Sequence, residues 1–231
     1  MSSLPIVLIT GQLLTDAVWQ PLLDAWPDRE VIVADNRSDD TIAGFAQRLL
    51  GNAPPKFALV AHAMGGFVAF EVMRRAPERV AKLALISTLA SADGPAHTAR
   101  RQGYIDLVES GRFEQVVEER IPILFPEEKR SDARLLGIAR QMAADTGADT
   151  FLAQQRAIMA RIDSRPRLAE IAVPTLLIWG EQDGITSRAH HDEILGAIAG
   201  ARLEVISGTG HLPTVEAPEV VVPLLTNFID A

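Results

Sequence analysis

Six short apolar runs constrain the fold of this chain more than any other feature. They occupy residues 4–10, 31–34, 57–61, 83–87, 175–179 and 201–206. A strand with one wet face alternates apolar and polar residues. A continuous apolar run has both faces covered, as in a parallel sheet held between helices. Helix-period segments separate most of the runs. Residues 42–50 place apolar side chains at 42, 45, 46, 49 and 50, and a helix over 64–76 ends ahead of Pro77, which disfavours helical geometry in its predecessor. Pro218 suits the first turn of a helix over 219–229, with Glu219 near the positive end of its dipole, while Pro223 predicts a kink or a late start.

One stretch breaks the alternation. Residues 91–166 contain no convincing strand, only helical patterns over 97–110, 112–121, 132–145 and 150–162. Both ends return to the sheet pattern. The expected organisation is therefore one core, residues 1–90 and 167–231, carrying residues 91–166 as a helical cap over one edge of the sheet. A chain of 231 residues has room for one substantial core. Its net charge of −8 argues against nucleic acid, which requires a basic face. With no cysteine, thiolate catalysis and thiolate-bound metals drop out. No apolar run reaches the roughly 18 residues of a membrane span and no leader pattern precedes the first strand, so the expected location is cytoplasmic. Nothing in the pattern fixes an oligomeric state.

Ligands of open α/β sheets bind beyond the carboxyl ends of the strands. Four candidate groups follow such ends: Gly11-Gln12, Ala63, Asp183 and His211. The segment around Ala63 is the most specific. A buried run enters a sharp turn and then a helix, the setting in which G-x-S-x-G lifts a serine oxygen above a sheet. Here the five positions read Ala61-His62-Ala63-Met64-Gly65. A methyl group cannot attack a carbonyl.

Four segments together carry a resemblance. They are Leu8-Ile-Thr-Gly-Gln-Leu-Leu14, Ala61-His-Ala-Met-Gly-Gly66, Trp179-Gly-Glu-Gln-Asp-Gly184 and Gly208-Thr-Gly-His-Leu-Pro213, with Glu216-Ala-Pro-Glu219 behind. The chain resembles the α/β-hydrolase family nearly end to end. The resemblance implies that Ala63 holds the nucleophile position, Asp183 the acid and His211 the base. The backbone N–H groups of Gln12 and Met64 would form the oxyanion hole. It also implies a serine hydrolase of carboxylesterase type, acting through an acyl-enzyme on a small, largely apolar substrate, with no metal or organic cofactor. Thr10 stands where many relatives have histidine, which should alter packing behind the site. Because every other catalytic position is intact, Ala63 reads as an engineered Ser-to-Ala replacement that leaves binding in place and turnover negligible.

Other readings compete with these. A C–C bond hydrolase of ring-cleavage products would use the same residues. A cofactor-free lyase or oxygenase of this fold would work through His211 and Asp183 alone. A natural ligand-binding protein would need none of them to react. Asp183 has a rival role as the cap of a helix starting near Ser187. His62 should point away from the site and pack. His190 and His191 read as a solvated helix face, and Asp35 as a turn residue. Arg100, Arg101, Arg112 and Arg156 read as solvated, with a substrate carboxylate as the alternative use for one or two.

Overall fold

The computed structural model describes residues 4–231. Six parallel strands, β1 (Ile6–Ile9), β2 (Val31–Val33), β3 (Phe57–His62), β4 (Val80–Ile86), β5 (Thr175–Gly180) and β6 (Arg202–Ile206), pair in the order β2-β1-β3-β4-β5-β6. All six correspond to the apolar runs. Side-chain alternation explains why the runs had to be continuous. Ile6 and Leu8 of β1 enter one buried cluster and Val7 and Ile9 enter another. The same split divides Ala58 and Val60 from Phe57, Leu59 and Ala61 in β3. Each fully buried Leu, Ile or Phe contributes about 1.5–3 kcal/mol, so neither face could be left wet.

The helices are α1 (Gln20–Ala25), α2 (Ile42–Asn52), α3 (Met64–Arg75), α4 (Pro95–Glu109), α5 (Phe113–Arg120), α6 (Ala133–Met159), α7 (Arg188–Ala197), α8 (Pro213–Glu216) and α9 (Pro218–Asp230). Leu22 of α1 and Val221 and Leu225 of α9 cover one sheet face. Phe45 of α2, Val68 and Val72 of α3 and Ile194 of α7 cover the other. Helices α4, α5 and α6 all lie between β4 and β5, and Val108, Val116, Leu135 and Phe151 join the cluster that holds Ile6 and Leu8. Within α6, Gly147 takes φ 76° and ψ 168° and separates two helical halves, matching the two patterns read there. Pro223 does not delay α9, which begins at Pro218. The amide Pro223 lacks would have bonded Glu219, in the first turn. Short elements α1 and α8 carry too few periodic positions to stand out in the sequence. No helix among the described residues is long and apolar enough to cross a membrane.

The strand order reverses direction at β1. From there the chain moves outward to β2, then crosses to the other side of β1 for β3. The loops after β1 and β3 therefore leave in opposite directions and open a crevice between them. Helix α3 also sits very close to β1, where a methyl group on Gly65 would lie 2.4 Å from the Ile9 carbonyl oxygen, and to the turn after β4, where one on Gly66 would meet Thr88 Oγ1.

Gly65→Ala is expected to cost roughly 1–3 kcal/mol, because backbone cannot yield as a side chain can. Gly103, exposed in α4 with open space around it, is the control: Gly103→Ala should stabilise by about 0.5–1 kcal/mol. Urea midpoints of the two variants test the pair, and equal midpoints would show that the α3–β1 approach is not tight.

Candidate active site

Residue 63 is placed by the tight α3–β1 approach. Ala63 adopts φ 51° and ψ −113°, a conformation that costs a residue with a Cβ about 1–3 kcal/mol. The turn is pinned on both sides. Its N–H donates to the Ile86 oxygen at 2.9 Å, and its carbonyl accepts from Gly66 N–H at 2.9 Å and Thr88 Oγ1 at 2.7 Å. Ala63, Gln12, Met64 and His211 all line one cavity of ≈ 300 Å³ at the crevice between the β1 and β3 loops. A larger groove of ≈ 430 Å³, between α2, α3 and the segment after α6, contains none of these four.

His211 Nδ1 lies 3.0 and 2.9 Å from the two carboxylate oxygens of Asp183. Its Nδ1–H therefore donates to the carboxylate, leaving Nε2 as the free ring nitrogen. Asp183 Oδ1 also accepts from the N–H groups of Ile185 at 2.8 Å and Thr186 at 3.0 Å, and Oδ2 accepts from the Thr186 hydroxyl. Burial alone would raise its pKa. The His211 charge and these donors outweigh it and hold the carboxyl near pKa 2, so it is ionised at neutral pH. Helix α7 takes Ser187 as its N-cap, so Asp183 does not serve that helix.

The His211 loop is fastened from three directions. His211 N–H donates to the Leu124 oxygen at 2.7 Å. The buried Glu216 carboxylate accepts from Gly210 N–H at 3.0 Å and Leu212 N–H at 3.1 Å, one on each side of His211. His62 supplies the third tie. Its Nε2 is 2.7 Å from the His211 carbonyl oxygen, an acceptor only, so Nε2 carries the proton. Packing does not exhaust the role of His62, contrary to the sequence expectation: β3 ends with its ring turned toward the β6 loop, 5.2 Å from the His211 ring.

The loop after β1 is held just as firmly. Asn36 Nδ2 donates to the Gly11 oxygen at 3.0 Å and to Thr10 Oγ1, while Leu13 N–H donates to Gln154 Oε1 at 3.2 Å. Thr10 thus packs as a buried acceptor for Asn36. Among the described residues neither Gln12 N–H nor Met64 N–H has an acceptor. Met64 is the first residue of α3, where helix geometry leaves the N–H without a partner and the dipole favours negative charge.

The sequence matches the profile described as the Alpha/beta hydrolase family over residues 6–224. This chain belongs to the α/β-hydrolase family. A protein from Azorhizobium caulinodans, named only provisionally as a carbamate hydrolase, is 28% identical over 250 residues, covering 97% of this chain and 90% of its own. The pimeloyl-[acyl-carrier protein] methyl ester esterase of Yersinia pseudotuberculosis is 27% identical over 247 residues, covering 97% and 93%. Among solved structures, a thermophilic esterase from Thermogutta terrifontis, determined with malate bound, superposes with a TM-score of 0.89 at 26% identity, covering 99% of this chain and 90% of that one.

Several side chains of this α/β-hydrolase depart from their sequence reading. His191 is buried rather than solvated: its Nδ1 lies 3.0 Å from the Ser187 oxygen and its ring 5.7 Å from Trp179. Arg101 is half-buried, bonded to Asp93 at 2.6 Å and Gln155 at 3.0 Å. Arg112 and Arg156 do lie on the surface, bonded to Ser110 and Glu109, while the exposed Arg100 lines the cavity. Two further lining residues escaped sequence reasoning. Ser87 follows β4 at φ 48°, with a buried, unpartnered hydroxyl. Arg120 ends α5 and reaches Gln12 Oε1 at 3.2 Å. Only the strand-end position of Ser87 could have pointed to it, and nothing in the helical pattern singles out Arg120. Arg100, Arg101, His97 and Arg120 on the wall add charged and polar lining beside the space expected to hold a small, largely apolar substrate.

Acid should test the His62 tie. Burial, with the charge of His211 adding to it, pushes His62 down to a pKa of about 3, against 6.5 for the free side chain. The unfolded chain takes up this proton below pH 6.5 and the folded chain does not, so stability falls as pH drops from 6.5 toward 3. His191, lowered by burial, acts in the same direction. Between pH 7 and pH 4.5 the His62 contribution is roughly 2 kcal/mol. His62→Gln should lower the urea midpoint at pH 7 yet show a smaller fall at pH 4.5. An unchanged fall would remove His62 as the responsible group.

Proposed function

We propose that the cavity is the acyl-transfer centre of a carboxylesterase-type serine hydrolase that lacks its attacking oxygen at residue 63. One observation carries the reading. Residue 63, the Nδ1-anchored His211 and the two unengaged N–H groups of Gln12 and Met64 border a common space. The comparisons with esterases support hydrolysis of an ester or related acyl bond and leave its substrate open.

Each group has a definite task. A serine oxygen at position 63 would attack the substrate carbonyl as its proton passed to His211 Nε2. Asp183, ionised and fixed by the Thr186 and Ile185 donors, would hold the ring and stabilise its charged form. The carbonyl oxygen would become an oxyanion between Gln12 N–H and Met64 N–H. Nε2–H would then protonate the departing alcohol, leaving an acyl ester on residue 63. Water, deprotonated by Nε2, would repeat the sequence and release the acid. With alanine in place, binding and polarisation of the carbonyl remain and the first bond cannot form. The ties on the His211 loop preserve the rest of the geometry, which is why a single oxygen atom is the missing part.

Ala63→Ser should restore the first step. Against a panel of p-nitrophenyl and aryl esters, the variant is expected to exceed the parent chain in kcat/KM by on the order of a thousand-fold or more, within the range lost when a serine nucleophile is removed. Ser87→Ala in the parent chain is the control for turnover through the neighbouring free hydroxyl. No gain across the panel would sink the esterase reading. Equal turnover of some substrate by both chains would point instead to chemistry run by His211 and Asp183 alone, and tight binding without turnover in either to a ligand-binding protein.

A further inference from the structure

The wall facing the reacting groups carries more positive charge than its neighbours neutralise. His97, Arg100, Arg101, Tyr104 and Arg120 line the cavity, and among the described residues no carboxylate does. Asp93 behind the wall binds Arg101 at 2.6 Å but also binds Arg161 at 2.8 Å, so it offsets one charge of that pair. Arg120 makes no ion pair among the described residues. Its guanidinium carbon lies 5.3 Å from the centre of the Tyr104 ring and 5.9 Å from that of the Phe151 ring, within cation–π range of both. Its Nε is buried without an acceptor, and so is the Nε2 amide of Gln12, the residue whose Oε1 accepts from Arg120. Burial and the nearby Arg101 and Arg100 charges lower the Arg120 pKa to about 10, which still leaves it charged at neutral pH.

Two buried donors without acceptors, on residues that bond each other and line one cavity, are unusual, because orphaned buried polar atoms each cost about 1–3 kcal/mol. What the site lacks is a group that only accepts. An ionised carboxylate meets that need: it is planar, has two oxygens and no proton, and matches the planar fork of a guanidinium. The cavity is near the lower limit for a ligand site, too small for a bulky phosphorylated carrier beside the reacting group. We infer that the substrate is an anion, an ester or related acyl compound carrying a free carboxylate, which Arg120 and the Gln12 side chain bind. The inference deepens the acyl-transfer reading and rests on it for the place of the reacting carbonyl. Gln12 would then serve both ends of one substrate. Its backbone N–H faces the developing oxyanion and its amide faces the carboxylate, so the two are separated by about the reach of a glutamine side chain. A half-ester of a short dicarboxylic acid has that spacing.

The parent chain is suited to the test because it should bind without turnover. Titration calorimetry would compare monomethyl glutarate, dimethyl glutarate and inorganic phosphate. The half-ester is expected to bind on the order of ten- to a hundred-fold more tightly than the diester, with a preference that shrinks as salt rises. Arg120→Gln should reduce the preference to within about three-fold and Arg120→Lys should keep part of it, each variant being checked for folding by its melting curve. If Arg120→Gln does not fold, Gln12→Leu removes the second donor while keeping the backbone N–H, and weaker half-ester binding is expected there. Equal binding of diester and half-ester, equal competition by phosphate, or a preference that survives in the folded variants would overturn the inference. The outcome is separable from that of the esterase reading: an inactive Ala63→Ser with an intact half-ester preference refutes only the acyl-transfer step, whereas an active Ala63→Ser with no preference refutes only the anion site.

Discussion

The arrangement around residue 63 depends on how closely the first turn of α3 lies against β1. There is no room for a Cβ at Gly65, since the Ile9 carbonyl would be 2.4 Å from it. That contact obliges the chain to turn sharply between β3 and α3, and Ala63 takes the strained conformation that results. The strain is offset by bonds from Gly66 and Thr88 to its carbonyl and by the bond from its N–H to Ile86. The same turn starts α3 beside the loop that follows β1, which brings Met64 N–H and Gln12 N–H to one cavity. A looser packing of helix on sheet would relax the turn and lose the convergence together.

The architecture was legible because its physical cause is long-range and repetitive. Burying both faces of the central strands forces continuous apolar runs there, while the edge strands β2 and β6 are only partly covered and β6 admits Arg202 and Glu204; the runs located all six strands. Asp183 and His211 were legible for a related reason: polar residues just beyond buried strands have nowhere to go but the carboxyl edge. Their meeting, with the carboxylate 2.9 Å from Nδ1, follows from the adjacency of β5 and β6. The helical break at Gly147 could be read from its two flanking patterns.

What escaped the sequence concerns residues whose partners are distant and whose local pattern is ordinary. His62 occupies a regular strand position, and nothing nearby says that its ring will support the carbonyl of residue 211. Arg101 and Arg120 look like any arginine on a polar helix until Asp93 and the Tyr104 and Phe151 rings are placed around them. His191 escapes in the same way, since Trp179 covers it only after β5 and α7 have packed. Glu216 stood within a recognisable segment, but its use as an acceptor for both neighbours of His211 needs the loop to be folded. Tertiary context decided each of these, and one-dimensional spacing carries no trace of it.

The helices α4, α5 and α6 leave and rejoin the sheet at strands that are paired with each other, Leu83 opposite Thr175 and Ile86 opposite Ile178. Sheet pairing therefore fixes the two points of departure whatever lies between them, and extra length in such an excursion costs little in closure entropy. The groups proposed to make and break bonds belong to the fixed part; the arginines facing them belong to the replaceable part. Selection can therefore redraw which molecules are admitted without disturbing the groups proposed to receive them.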